Sequence, residues 1–357
     1  MPKDSFALCD FAEFFFFLVF CVFIALRFSF SCCGVTSRRL ALSEKKNLMR
    51  KPYHICMSGG EELICRTDED YFRLFNCIAI AAFETDTILL ADAEMSTHTH
   101  LGVRTENPYE MIERAWLLYM RYFNNKYRRQ GRLGESTPFV LELDGLHHIL
   151  AAICYILRNP LHHGLSLTPF GYAHSSANAY FRKELGKFNH EELLTEKHSR
   201  RYLPRLDDYP SGYKMTKSGI YLRDSVIDTA EVENMFVTPR SFLYYMNRIS
   251  GEEWRKEQEK DENQQPPVTL DVIERGINLQ SVDRMLTNES GRFRCRGLSD
   301  IDLCTIIDTE VVPNTGRKSV YELTSSERDK IMRHVCHTYS VSEGQARRCL
   351  ASSYFKA

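Results

Sequence analysis

The chain has 357 residues, more than a typical single domain, and its 43% apolar content is enough for more than one core. Charged residues make up 26% and nearly cancel, to a formal net charge of -1, so bulk basicity is excluded as an argument for nucleic acid; only local clusters of Lys and Arg supply such a field. Twelve cysteines are scattered with no CxxC pair, which argues against a disulfide framework or a zinc ribbon and suits a reducing compartment.

The first element is an apolar, Phe-rich run from Phe14 to Leu26, followed by Arg27, Arg38 and Arg39. It falls short of the ~20 apolar residues that span a bilayer. Its length suits a signal-peptide core, but Asp4, Asp10 and Glu13 precede it where a signal carries positive charge. The favoured expectation sets residues 1–48 apart from the folded protein, with Met49 or Met57 as the working start, and places the protein in the cytoplasm with the nucleoid. A membrane anchor or a signal segment is the alternative.

A compact α+β pattern occupies residues 49–185. Tyr53 to Met57 reads as a strand, Gly59-Gly60 as a turn and Glu62 to Arg66 as a second strand. Asp68 caps a helix to Phe83, in which Phe72, Phe75, Ile78, Ala79 and Ala82 recur at helical spacing. Thr87 to Met95 and Thr97 to Val103 are extended. Asn107, with Pro108 behind it, starts a second helix bearing Trp116, Tyr119, Tyr122 and Phe123, which Gly131 and Gly134 break. A third helix runs from about Gly145 to Arg158 and is expected to stop at Asn159, because a residue before proline is pushed out of the α region. This order predicts a ferredoxin-like domain with a central antiparallel sheet. Residues 186–267 read as a connecting region ending in a charged, Gln/Pro-rich linker at Lys256 to Pro267, and residues 268–357 as a mostly α-helical domain.

Three features in the first domain bear on chemistry. His98 and His100 are two apart, so on a strand both imidazoles share a face and can ligate one divalent ion. Tyr155 and Asn159 are four apart, one above the other on a helix, so an amide oxygen and a phenol face the same point. The stretch from Arg121 to Arg129, with Lys126 and Arg128 inside it, offers cations to phosphates and rings to unpaired bases. Each alone has a plainer reading: a core tyrosine, a satisfied sheet histidine pair, a helix-ending Asn-Pro, a solvated basic face.

Taken in order, these residues resemble the single-tyrosine HUH transposases, specifically the REP-associated tyrosine transposases and their insertion-sequence relatives. His98-Thr99-His100 resembles the family's histidine–hydrophobic–histidine strand, with Thr in place of the hydrophobe and Thr97 where an Asn is usual. Tyr155 through Leu165 resembles the catalytic helix, and Phe123 to Gly134 the segment between. The likeness covers roughly Tyr53 to Tyr180. It implies a DNA transposase or strand transferase with Tyr155 as nucleophile and a 5′-phosphotyrosine intermediate. Mg²⁺ or Mn²⁺ would be held by His98, His100 and Asn159, and no nucleotide cofactor is needed. Its partner would be single-stranded or hairpin DNA, bound by a monomer or homodimer. Arg158, His162 and His163, at the helix end, are expected near DNA phosphates. The rival readings are a replication-initiator or relaxase-like nickase and a catalytically silent DNA-binding regulator.

At the C-terminal end, Leu323 to Ala351 reads as two helices broken at Tyr339 to Ser342. The second carries Gln345, Arg347 and Arg348, side chains suited to base edges in a major groove, so a helix-turn-helix-like module binding duplex DNA is expected.

Overall fold

The computed structural model describes residues 50–187, 191–247 and 298–355. The expectations for residues 1–48, for the linker at Lys256 to Pro267 and for residues 268–297 lie outside the described residues. Among the described residues no helix is long and apolar enough to cross a membrane.

Strand β1 (Lys51–Ser58) is buried from His54 onward, on both faces. A strand without a wet side needs cover above and below, and helices supply it. β1 pairs antiparallel with β3 (His98–Thr105) on one side and with β4 (Phe139–Glu142) on the other, and β3 pairs with β2 (Ile88–Glu94). The order β2-β3-β1-β4, with α1 (Asp68–Glu84) after β1 and α2 (Pro108–Tyr127) after β3, is the ferredoxin-like arrangement. α1 and α2 pack on the face shared by Ile55, Met57, Leu101 and Val103. α3 (Gly145–His162) lies on the opposite face, where Gly102 admits it: a Cβ at Gly102 would sit 3.3 Å from the Ile156 side chain. Cys65 and Cys77 are buried in this core as small apolar groups.

Two local expectations change and one strand is added. Glu62 to Arg66 is a loop, because the turn between β2 and β3 takes up its backbone: Ile64 and Cys65 donate their N–H groups to Ser96 O and Gly59 donates to Thr97 O. β4, four residues after Pro138, is too short to announce itself, and its ladder to β1 makes it a strand. α3 does not stop at Asn159 but runs through Pro160 to His162. The proline forfeits one backbone bond, and the last turn closes through His163 N–H to Asn159 O and Leu165 N–H to Pro160 O. Asn159 therefore stays on the same rigid helix as Tyr155.

Residues 191–247 run against the domain and cover the edge of β2. The Arg223 side chain donates to Asp92 (2.8 Å) and Glu94 (2.7 Å), and Asp228 N–H donates to Leu89 O. Two short helices, α4 (Thr229–Phe236) and α5 (Pro239–Asn247), bury Val232, Phe236, Phe242 and Met246. An edge strand closed in this way has no free ladder to offer another chain.

The C-terminal region is mostly helical: α6 (Asp300–Ile306), extended by a wider turn over Ile307–Val311, then α7 (Ser325–Tyr339) and α8 (Glu343–Cys349). α6 and α7 begin with reciprocal caps, Ser299 with Asp302 and Thr324 with Glu327. Ser340, at φ +53°, turns the chain between α7 and α8. Among the contacts that seat the region are Arg66 on Asp308 and on the Cys349 carbonyl, the Ser96 hydroxyl donating to Asp300 at 2.9 Å, and the Tyr321 ring against Phe123 and Tyr127.

Candidate active site

Strand pairing decides which side chains meet. Opposite β3, Ser58 faces His98, Cys56 faces His100 and His54 faces Gly102. Since side chains alternate, His54, Cys56, His98 and His100 all project to the α3 side. α3 returns Tyr155 and Asn159 to that face, 4% and 0% exposed.

The rings gather closely. His98 and His100 are 5.1 Å apart between centroids, nearly edge-on at 82°. The Tyr155 ring is 5.3 Å from His100 and 5.9 Å from His54, edge-on to both. His163 closes the far side, 5.0 Å from His98. The exposed His162 stacks over Tyr155 at 6.2 Å. The strand bearing the imidazole pair and the helix bearing the phenol thus meet in one buried cluster.

Hydrogen bonding is one-sided. His98 Nδ1 lies 3.0 Å from Thr97 Oγ1, and His100 Nδ1 lies 3.0 Å from His54 Nε2. The other nitrogen of each, His98 Nε2 and His100 Nε2, is buried with no hydrogen-bond partner, as are both polar atoms of the Asn159 amide. Buried polar atoms normally have partners; these four make no hydrogen bond of good geometry, although the Asn159 amide lies close enough to His98 to act on its ring. Two imidazole nitrogens and an amide oxygen suit a divalent ion that keeps further positions open. Among the described residues no group of three or more His, Cys, Asp or Glu side chains is arranged to hold a metal; the histidine pair reaches three protein donors only with the Asn159 amide.

Burial sets the protonation of the cluster. It pushes His54 down to about 3 and His98 to about 4, the nearby Asn159 amide partly opposing the latter. His100 and His163 are also held well below the usual imidazole range, by burial first and by neighbouring imidazoles second. The rings are therefore neutral, the form that ligates. The cost appears in acid: below about pH 6.5 the unfolded chain takes up protons that the folded rings refuse, so stability is complete above that pH and falls as pH drops toward 4. In EDTA, shifting from pH 7 to pH 5 should cost on the order of 2 kcal/mol for His98, whose folded value of about 4 lies below the usual 6.5. Urea unfolding of the parent and of His98→Gln checks this: the variant should lose about one ring's share of the pH dependence, and an identical pH slope in both would refute it.

The residues expected to bind DNA fall into distinct settings. Arg121, Arg128 and Arg347 are exposed, Arg128 with Glu322 at 3.8 Å and Arg347 with Glu343 on its own helix. Lys126 donates to Asp70 (2.7 Å), Glu69 (3.1 Å) and Thr67 (2.9 Å), bracing the start of α1. Arg129 is 4% exposed, bonded to Glu62 and to the carbonyls of Gly131 and Arg132. Arg348 is buried against Asp300, and Gln345 donates to the Leu298 carbonyl at 2.7 Å. The charges of Lys126, Arg129 and Arg348 are thus engaged within the chain. Arg158 is half-buried, and His163 belongs to the histidine cluster.

Sequence reasoning missed His54 and the bond from Thr97 to His98. The alternation of His54, Cys56 and Ser58 marks a face, but only the register of β1 against β3 says that this face is the one carrying His100.

No family model matches the chain, and a search of curated proteins finds no match. Among solved structures it is similar to a REP-associated tyrosine transposase bound to a REP hairpin, at 11% identity and a TM-score of 0.32, over 39% of this chain and 82% of that one. The likeness is distant and coarse.

Proposed function

We propose that the protein cleaves and rejoins single-stranded DNA through a covalent bond to Tyr155. The observation that carries this is the gathering, in one buried cluster, of Tyr155, the unpartnered Nε2 atoms of His98 and His100, and the Asn159 amide beside His98. Those three donors would hold Mg²⁺ or Mn²⁺, which when bound draws charge from a scissile phosphate. Tyr155 supplies the nucleophile: its phenolic oxygen bonds to phosphorus, the bond from phosphorus to the 3′ oxygen breaks, and the phenolic proton ends on the released 3′-OH. The product is a 5′-phosphotyrosine ester. It keeps the energy of the bond it replaced, so the same or another 3′-OH can reverse the step without a nucleotide.

Tyr155 is covered, so a strand must enter past the exposed His162 ring that lies over it. Arg158, one turn before His162 on α3, and the exposed Arg121 and Arg128 supply phosphate contacts for a hairpin; Arg347 would meet any flanking duplex.

The test is incubation with labelled hairpin-forming single strands and Mn²⁺, followed by denaturing electrophoresis. A protein-linked band is expected, lost in EDTA and in His98→Ala/His100→Ala; a band that survives both would remove the metal from the reading. Joining of the trapped strand to a second oligonucleotide distinguishes a strand transferase from a nickase.

A further inference from the structure

We infer that His54 is a positioning residue for the metal site: it accepts the Nδ1–H of His100 and thereby fixes the tautomer of His100 whose bare Nε2 faces the pocket. The inference rests on the proposed metal-dependent reading of that pocket. Its own observation is the 3.0 Å contact between His54 Nε2 and His100 Nδ1, with the two rings nearly parallel at 17° and 5.1 Å apart.

A neutral imidazole carries one N–H and one lone pair. Either arrangement of the pair leaves one buried N–H without an acceptor, His54 Nδ1–H or His100 Nε2–H; only the first, with the His100 proton on Nδ1, leaves the Nε2 lone pair of His100 bare for a metal. His54 Nε2 is the partner at hydrogen-bond distance. It cannot act through charge, because burial holds the ring neutral. Thr97 Oγ1 stands in the same relation to His98 Nδ1, so each imidazole of the pair is held from behind by a different group. Partners in this place orient the ring and raise its basicity, and their loss typically weakens metal binding by about 10–100-fold. On β1 the position is rigid: His54 is fully buried, opposite Gly102 of β3 and Leu141 of β4, and edge-on to Phe139 at 6.0 Å.

The experiment measures Mn²⁺ binding by calorimetry on the full chain, for the parent, His54→Leu, His54→Gln and His100→Ala. Leu fills the space without an acceptor; Gln restores an amide oxygen that can take the Nδ1–H. The expected result is loss of binding in His100→Ala, about 10–100-fold weaker binding in His54→Leu, and binding within about threefold of the parent in His54→Gln. Parent-like affinity in His54→Leu, with binding still dependent on His100, would overturn the role of His54 alone. Binding that ignores His100 would overturn the metal reading and this inference with it. A second measurement needs no variant: in metal-free protein with ¹⁵N-labelled histidine, the proton of His100 should sit on Nδ1, and an Nε2–H tautomer would refute the assignment.

Discussion

Tyr155→Phe should reduce the protein-linked DNA band by at least about a thousandfold while leaving hairpin affinity within about threefold. The substitution removes a single oxygen. Phe keeps the ring that sits edge-on to His100 and His54 and packs on Cys56, Phe139 and Leu141, so the pocket wall survives. Ala would confuse the result, because emptying a buried aromatic site costs about 3–5 kcal/mol and loosens α3 itself. The split between adduct and affinity is what separates a nucleophile from a packing residue. A tyrosine that only filled space would be replaced by Phe without loss of adduct, and an undiminished band in the variant would end the assignment. Equal loss of adduct and of binding would instead mark Tyr155 as a DNA contact.

Much of this pocket could be read in advance, for reasons that are local. The spacing of two between His98 and His100 fixes a shared face once the segment is extended, and the spacing of four between Tyr155 and Asn159 fixes a shared helix side. The fold class was also legible, since strand, helix, two extended segments and a second helix leave few antiparallel solutions, although β4 does not announce itself and Glu62 to Arg66 reads as a strand. What could not be read was anything set by register or by distant partners. His54 joins the cluster only because β1 meets β3 in one particular pairing. Lys126 and Arg129 look like a phosphate-binding face until α1 brings Asp70, and the loop after β1 brings Glu62, to meet them. The rule that proline ends a helix misplaces the end of α3, because a last turn can lose one N–H and still close.

The C-terminal helices raise the same issue on a larger scale, and Arg66 tests it. Its side chain is fully buried, donating to both carboxylate oxygens of Asp308 at 2.8 and 3.0 Å and to the Cys349 carbonyl at 2.7 Å, with the Tyr127 ring 5.6 Å away. One guanidinium thus ties the loop between β1 and α1 to the extended end of α6 and the end of α8. Removing one member of a buried pair strands the other and leaves a cavity, which costs about 3–5 kcal/mol. Arg66→Ala should therefore lower global stability by that amount in urea unfolding and speed hydrogen exchange across α6 and α8. Asp308 is partly exposed and can rehydrate, so the lower end of the range is the better expectation. Replacing both partners, as in Arg66→Met with Asp308→Leu, should recover most of the loss, because no charge is then left buried without its counterpart. The loosening should also reach the histidines. Asp300 accepts from Ser96, and Ser96 lies two residues before His98, so a C-terminal region that detaches releases the turn on which β3 begins. If Arg66→Ala shifts stability by less than about 1 kcal/mol, or if exchange quickens in α6 and α8 with no change at Ser96 to His100, the helices are a separate module and not a brace for the pocket.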